Sequence, residues 1–165
     1  MHPNGAIHIA IRYADKIQDR EVQTIQLHQD LIQKNGAVWF GKLGQPLSEK
    51  NISTINTQCQ LGTPTYLYLI RGRAEGLYKG SVAHMTRELP PPEEEALIPQ
   101  YYKDFGLRSY MKFWIRLSKL ERLSKSEYHQ IEVPSAHSKL DNLIRGNTAG
   151  LFIVKYSAAT HLEPL

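Results

Sequence analysis

A chain of 165 residues, 41% hydrophobic and 22% charged, is one globular domain large enough to bury a core of its own. Its apolar runs fall far short of the ~20 residues that span a bilayer. Cys59 is the only cysteine, which excludes an internal disulfide and a cysteine-built zinc site and fits a reduced, cytosolic setting. The formal charge of +4 is modest, and much of it is local: residues 100–130 carry seven basic and three acidic side chains.

The opening MHPNGAIHIAIR lacks a basic segment followed by a long apolar core, so no signal peptide is expected. Within it Ile7, Ile9 and Ile11 fall on one face of a short strand. DREVQTIQLHQDLIQK predicts a helix capped by Asp19, with Val22, Ile25, Leu31 and Ile32 as its apolar stripe and Asn35-Gly36 as a left-handed stop. AVWFGK is a compact strand with Trp39 in the core. Gly41 and Gly44 are expected to serve a tight turn. Ser48 caps a second helix, on which Ile52, Ile55 and Cys59 share a face, and Gly62 ends it.

TPTYLYLI is apolar on both faces, as a central, doubly covered strand must be. LYKGSVAHMTREL reads as its antiparallel partner across a glycine turn. LPPPEEEALIP is a surface excursion, and an aromatic loop follows it. MKFWIRLS alternates Met111, Phe113, Ile115 and Leu117, which favours a strand over a helix through Leu117, Leu120 and Leu123, with Trp114 in the core. HQIEV is a strand, SKLDNLIRG a helix stopped by Gly146, and GLFIVKY the final strand. HLEPL reads as a frayed or truncated end, as of a domain cut from something larger. Strands outnumber helices, which suits a small twisted sheet or barrel with helices outside.

Catalytic patterns are missing. The seven histidines are scattered without HExxH or His-x-His spacing, there is no G-x-S-x-G elbow, and no Glu is followed two residues later by Lys. GKLGQPLS lacks the GK[ST] ending of a phosphate-gripping loop. No enzyme, metal site or cofactor is therefore expected. Binding is the better reading. Tyr101, Tyr102, Phe105 and Tyr110 lie within ten residues, where each ring that stacks a base contributes roughly 1–3 kcal/mol. Lys103, Arg108 and Lys112 are interleaved with them and, with Arg71 and Arg73, would face a phosphate backbone. Two other classes stay open. One is a small metal-dependent hydrolase or nuclease whose acids and histidines converge only in three dimensions. The other is a protein-interaction module that docks the PPPEEE segment and the tyrosine loop on a partner chain.

The ordered set VWFGK plus helix, TYLYLIRGRAEGLYKGSVAHM, and KFWIRLSKLERLSKSEYHQIEV resembles the PUA-like superfold, in its EVE and YTH branches, over about residues 37–133. The resemblance implies an α+β fold, a twisted, partly closed β-barrel with flanking helices. It makes residues 37–165 the binding domain and residues 1–36 an added strand and helix packed on the core. It also implies a base held in an aromatic cage by the loop before KFWIRL, with Lys42 and Ser48 near the base edge. The chain has no Trp between residues 48 and 65 and offers Tyr and Phe where YTH domains have Trp, which makes it more similar to bacterial EVE-type modules. Those imply a flipped, modified base, in DNA rather than RNA, and a specificity module of a modification-dependent restriction or defence system with a fused or associated nuclease or NTPase.

Overall fold

The computed structural model describes residues 5–157; His2, His161 and the HLEPL end lie outside the described residues. The described residues form ten strands and five α-helices in the order β1 (His8–Tyr13), β2 (Lys16–Ile17), β3 (Arg20–Glu21), α1 (Thr24–Asn35), β4 (Val38–Lys42), α2 (Glu49–Gln60), β5 (Tyr66–Arg71), β6 (Gly76–Thr86), α3 (Gln100–Asp104), β7 (Phe113–Arg122), α4 (Lys125–Tyr128), β8 (Ile131–Val133), β9 (Ser138–Lys139), α5 (Leu140–Gly146) and β10 (Leu151–Tyr156). Eight strands form one sheet in the order β4-β7-β6-β5-β1-β10-β8-β9. Among the described residues only β1 and β5 pair in parallel. Among the described residues β4 and β9 are its two edges, so the α+β content stands but the sheet is open and not closed into a barrel.

As the two apolar faces of TPTYLYLI require, β5 lies between β6 and β1, with Leu67 and Leu69 in one core and Tyr68 and Ile70 in another. Helices α1 and α2 cover the first core through Ile25, Ile52 and Ile55. Irregular pairing of β6 with β7 around Ser81–His84 marks β-bulges, which bend a strand and raise its twist. A third cluster lies on the other side of β4 and β7, where Val22, Trp39, Ile98, Tyr101, Tyr102 and Trp114 pack together. Both tryptophans are buried there. Strand β1 occupies the middle of the sheet, so β1 and α1 share their core with the rest of the described residues.

Three expectations need correction. Helix α1 starts at Thr24 behind Gln23, which makes no side-chain cap bond. Asp19 sits instead in the two-residue turn between β2 and β3, with Gln18 and Asp19 both left-handed (φ 52° and 62°); that turn is favoured because its twist matches the strands. The carboxylate that accepts the Thr24 N–H, at 3.3 Å, is Asp15. Gly44 does turn (φ 84°), but Gly41 lies inside β4, where a Cβ would come within 2.7 Å of the Met111 sulfur. A strand-interior glycine of this kind marks a close approach. The tyrosine segment is also not a plain loop. Pro99 precedes a short helix and Gly106 (φ 67°) follows it, so both residues act as helix boundaries.

Candidate functional site

Helix α3 lays Tyr101 and Tyr102 against β4, with the two rings edge to face at 4.7 Å. The Tyr102 side chain, 2% exposed, joins three elements. Its oxygen accepts the Gly41 N–H at 3.0 Å and lies 3.1 Å from His28 Nε2. His28 Nδ1 is 2.7 Å from the Thr24 carbonyl, which only accepts, so Nδ1 carries the proton and Nε2 accepts from Tyr102. The result is a directed chain from β4 through α3 to α1. Burial holds His28 neutral, its pKa lowered to about 4 although the Thr24 carbonyl opposes the shift. Burial likewise pushes Tyr102 well above the usual tyrosine range, so its hydroxyl keeps the proton that it donates.

Thr24, Gly41 and Tyr102 of this chain of bonds line a cavity of about 140 Å³, together with Tyr13, Ala14, Lys16, Lys42, Tyr101 and Met111 among others. A cavity of about 150 Å³ is large enough to take up benzene, so the space is of single-ring size. Ala14 and Lys16 are exposed at the rim. Lys42 is half-buried and burial lowers its pKa. Its Nζ donates to the Leu43 carbonyl at 2.6 Å, and no carboxylate among the described residues lies within ion-pair distance. Arg12 also lines the cavity, but its guanidinium is engaged elsewhere, donating to the Gly72, Ile144, Asn147 and Ala149 carbonyls.

Of the residues expected to surround a base, Lys42, Tyr101 and Tyr102 therefore come together. Phe105 does not line the cavity; it packs edge to face on Tyr101 with the Arg20 guanidinium 4.5 Å above its ring. Tyr110 is 69% exposed and outside the cavity. Ser48 caps α2, accepting the Asn51 N–H at 3.2 Å, and is not in the lining. His28, Met111 and Ala14 were not anticipated. The signals were a histidine four residues after Thr24, on the helix face shared with Ile25 and Ile32, and a glycine inside a strand.

The cations expected to meet phosphate are dispersed. Lys103 and Arg108 both pair with Glu95, at 3.0 and 2.8 Å. Arg71 pairs with Asp15 at 3.7 Å, the backbone N–H of Arg73, not its guanidinium, donates to Glu75 at 2.6 Å, and Lys112 is exposed. PPPEEE is accordingly a clamp and not a free surface excursion. Its Glu94 binds Arg116 through both oxygens, at 3.1 Å each, and accepts the Trp39 indole N–H at 2.7 Å. Arg116 holds the Glu94 carboxyl below the usual range, with Trp39 adding to the effect and burial opposing it. Among the described residues no three His, Cys, Asp or Glu side chains gather where they could hold a metal ion, and no helix is long and apolar enough to cross a membrane.

A protein-family model described as Pua-like matches residues 9–146, a wider span than the segments that first suggested the resemblance, and it takes in β1 and α1. No curated protein and no solved structure matches the chain.

Proposed function

This chain belongs to the Pua-like family, whose domains are generally nucleic-acid-binding and typically binding modules rather than enzymes, and we propose that it reads one modified base, flipped from DNA, in the cavity between β1, β4 and α3. The observation that carries this reading is Lys42. A half-buried ammonium with no carboxylate partner among the described residues, beside a ring-sized cavity, invites an acceptor such as a base carbonyl or a phosphate. Tyr101 and Met111 offer the edge and thioether contacts that a flat ring accepts. A flipped base costs a few kcal/mol of unstacking, least where the base is already altered, so a small, preformed cavity suits selection by shape. In this reading the domain supplies recognition and leaves chemistry to an associated nuclease or NTPase, as the specificity module of a modification-dependent restriction or defence system does.

The test is an anisotropy titration against oligonucleotides, DNA and RNA, carrying methylated, hydroxymethylated and unmodified bases. One modified DNA is expected to bind at least about tenfold more tightly than its plain counterpart. Ala14→Phe, which fills the mouth from an exposed position, should erase that preference and leave weak, salt-sensitive binding. Equal affinity across the panel, or equal loss for modified and plain strands in Ala14→Phe, overturns the assignment.

A further inference from the structure

We propose that a second, polar cavity of about 300 Å³, on the other side of Tyr13, holds the phosphate and sugar of the nucleotide next to the inserted base. The proposal rests on the base-cavity reading above. Gln23, Gln26, Arg71, Tyr78 and Arg122 line this second space together with Tyr13. A broader groove, about 750 Å³, shares Tyr13, Ala14 and Lys16 with the base cavity, and Tyr13, Asp15 and Arg71 with the polar one. The residues from Tyr13 to Lys16 thus form a common wall along which a strand can pass from one space to the next.

The charges favour phosphate. The two acids of the polar cavity have internal duties: Asp15 accepts the Thr24 N–H, and Glu75 accepts the Arg73 N–H. Arg122 has no such tie. It is exposed at the end of β7, its guanidinium 5.8 Å from the centre of the Tyr78 ring, and no carboxylate among the described residues pairs with it. The Arg71–Asp15 contact, 3.7 Å between half-exposed groups, is weak enough to exchange. A guanidinium steadied on an aromatic face and open to solvent is well placed for two parallel hydrogen bonds to phosphate. Gly76 completes the wall. A Cβ there would lie 2.6 Å from the Tyr13 hydroxyl, so only glycine leaves room for that hydroxyl beside the cavity, where it can donate to a sugar or phosphate oxygen. Burial and the Asp15 charge raise its pKa despite Arg71, which keeps the donor protonated.

Arg122→Gln tests the proposal with two probes, the free nucleoside of the preferred base and a trinucleotide containing it. The trinucleotide should lose roughly tenfold in affinity, and the slope of log K against log salt should fall by about one. Arg122→Lys should restore the slope, and the free nucleoside should show no comparable loss. If trinucleotide affinity and slope stay unchanged while Ala14→Phe still blocks the nucleoside, the second cavity is refuted and the base cavity stands. If Ala14→Phe changes nothing while Arg122→Gln weakens the trinucleotide, the base cavity falls, and with it the claimed adjacency. If an oligoglutamate peptide loses affinity in Arg122→Gln and the trinucleotide does not, the cavity belongs to a protein partner and the proposal is overturned.

Discussion

Tyr102→Phe removes one oxygen and keeps the ring, so it isolates the hydrogen-bond chain beneath the base cavity. The change leaves the Gly41 N–H without its acceptor on β4 and His28 Nε2 without its donor. An unsatisfied buried group costs about 1–3 kcal/mol and an ordinary lost hydrogen bond about 0.5–1.5 kcal/mol. The two losses share one oxygen, so together they come to roughly 2–3 kcal/mol. Against a total stability of about 5–15 kcal/mol that is substantial. With a urea slope of about 2 kcal/mol/M, the unfolding midpoint should fall by about 1–1.5 M at unchanged slope. Tyr110→Phe is the control, because its 69% exposed side chain predicts a change within about 0.5 kcal/mol. A midpoint for Tyr102→Phe no lower than that of the control would refute the accounting. The phenylalanine variant is also a better probe of recognition than Tyr102→Ala. Truncating a buried aromatic ring costs about 3–5 kcal/mol, and any loss of base preference would then reflect a collapsed floor.

Two further outcomes follow from groups around the cavity. His28 is neutral in the fold with its pKa lowered to about 4 from 6.5, so between those values the unfolded chain binds a proton that the folded chain refuses. Stability should therefore be fully present above about pH 6.5 and fall by roughly 3 kcal/mol as pH drops to about 4; urea titrations of wild type and His28→Gln across this window should differ by that slope, and parallel curves would contradict it. Glu95→Gln should release Lys103 and Arg108 from their shared carboxylate. If those cations face nucleic acid, log K against log salt steepens by about one to two; an unchanged slope says that they do not.

Most of the fold was legible because local and long-range signals agree. Ile9 and Ile11, then Leu67 and Leu69, alternate in sequence and meet in one core. Ser48 and Gly36 act at their helix ends as their chemistry dictates. What stayed hidden depends on partners distant in the chain. Asp15 reaches the Thr24 amide nine residues on only because the β2–β3 turn folds the chain back. The acids of PPPEEE look solvated until Arg116, Arg108 and Lys103 arrive beside them. The grouping of the candidate residues was half legible for the same reason. Aromatic and basic density pointed to the segment around Tyr101 and the resemblance to the end of β4, but composition cannot say which rings turn inward. Tyr102 does so because its hydroxyl finds two partners there, whereas Tyr110, beyond the Gly106 stop, faces solvent.

The distribution of paired and unpaired cations bears on how such a domain would discriminate. Lys103 and Arg108 are tied to Glu95, Arg116 to Glu94, and Arg12 to four backbone carbonyls. Near the aromatic cluster this leaves Lys42 in the candidate cavity, Arg122 in its polar neighbour, Lys112 between α3 and β7, and Arg20 over the Phe105 ring without carboxylate partners among the described residues. A surface of six to ten free cations would grip any duplex and lose about 10³–10⁵ in affinity between 50 and 200 mM salt. Four such cations give weaker non-specific attraction, with a salt slope about half as steep. Under that condition the fit of one base contributes a larger share of the total affinity, so discrimination survives at salt concentrations where a strongly basic face would bind everything or nothing. The acidic clamp is what keeps the surface in that regime. It neutralises the segment that composition alone marks as the most basic, and under the proposed function selectivity falls to the cavity above the Gly41–Tyr102–His28 bonds.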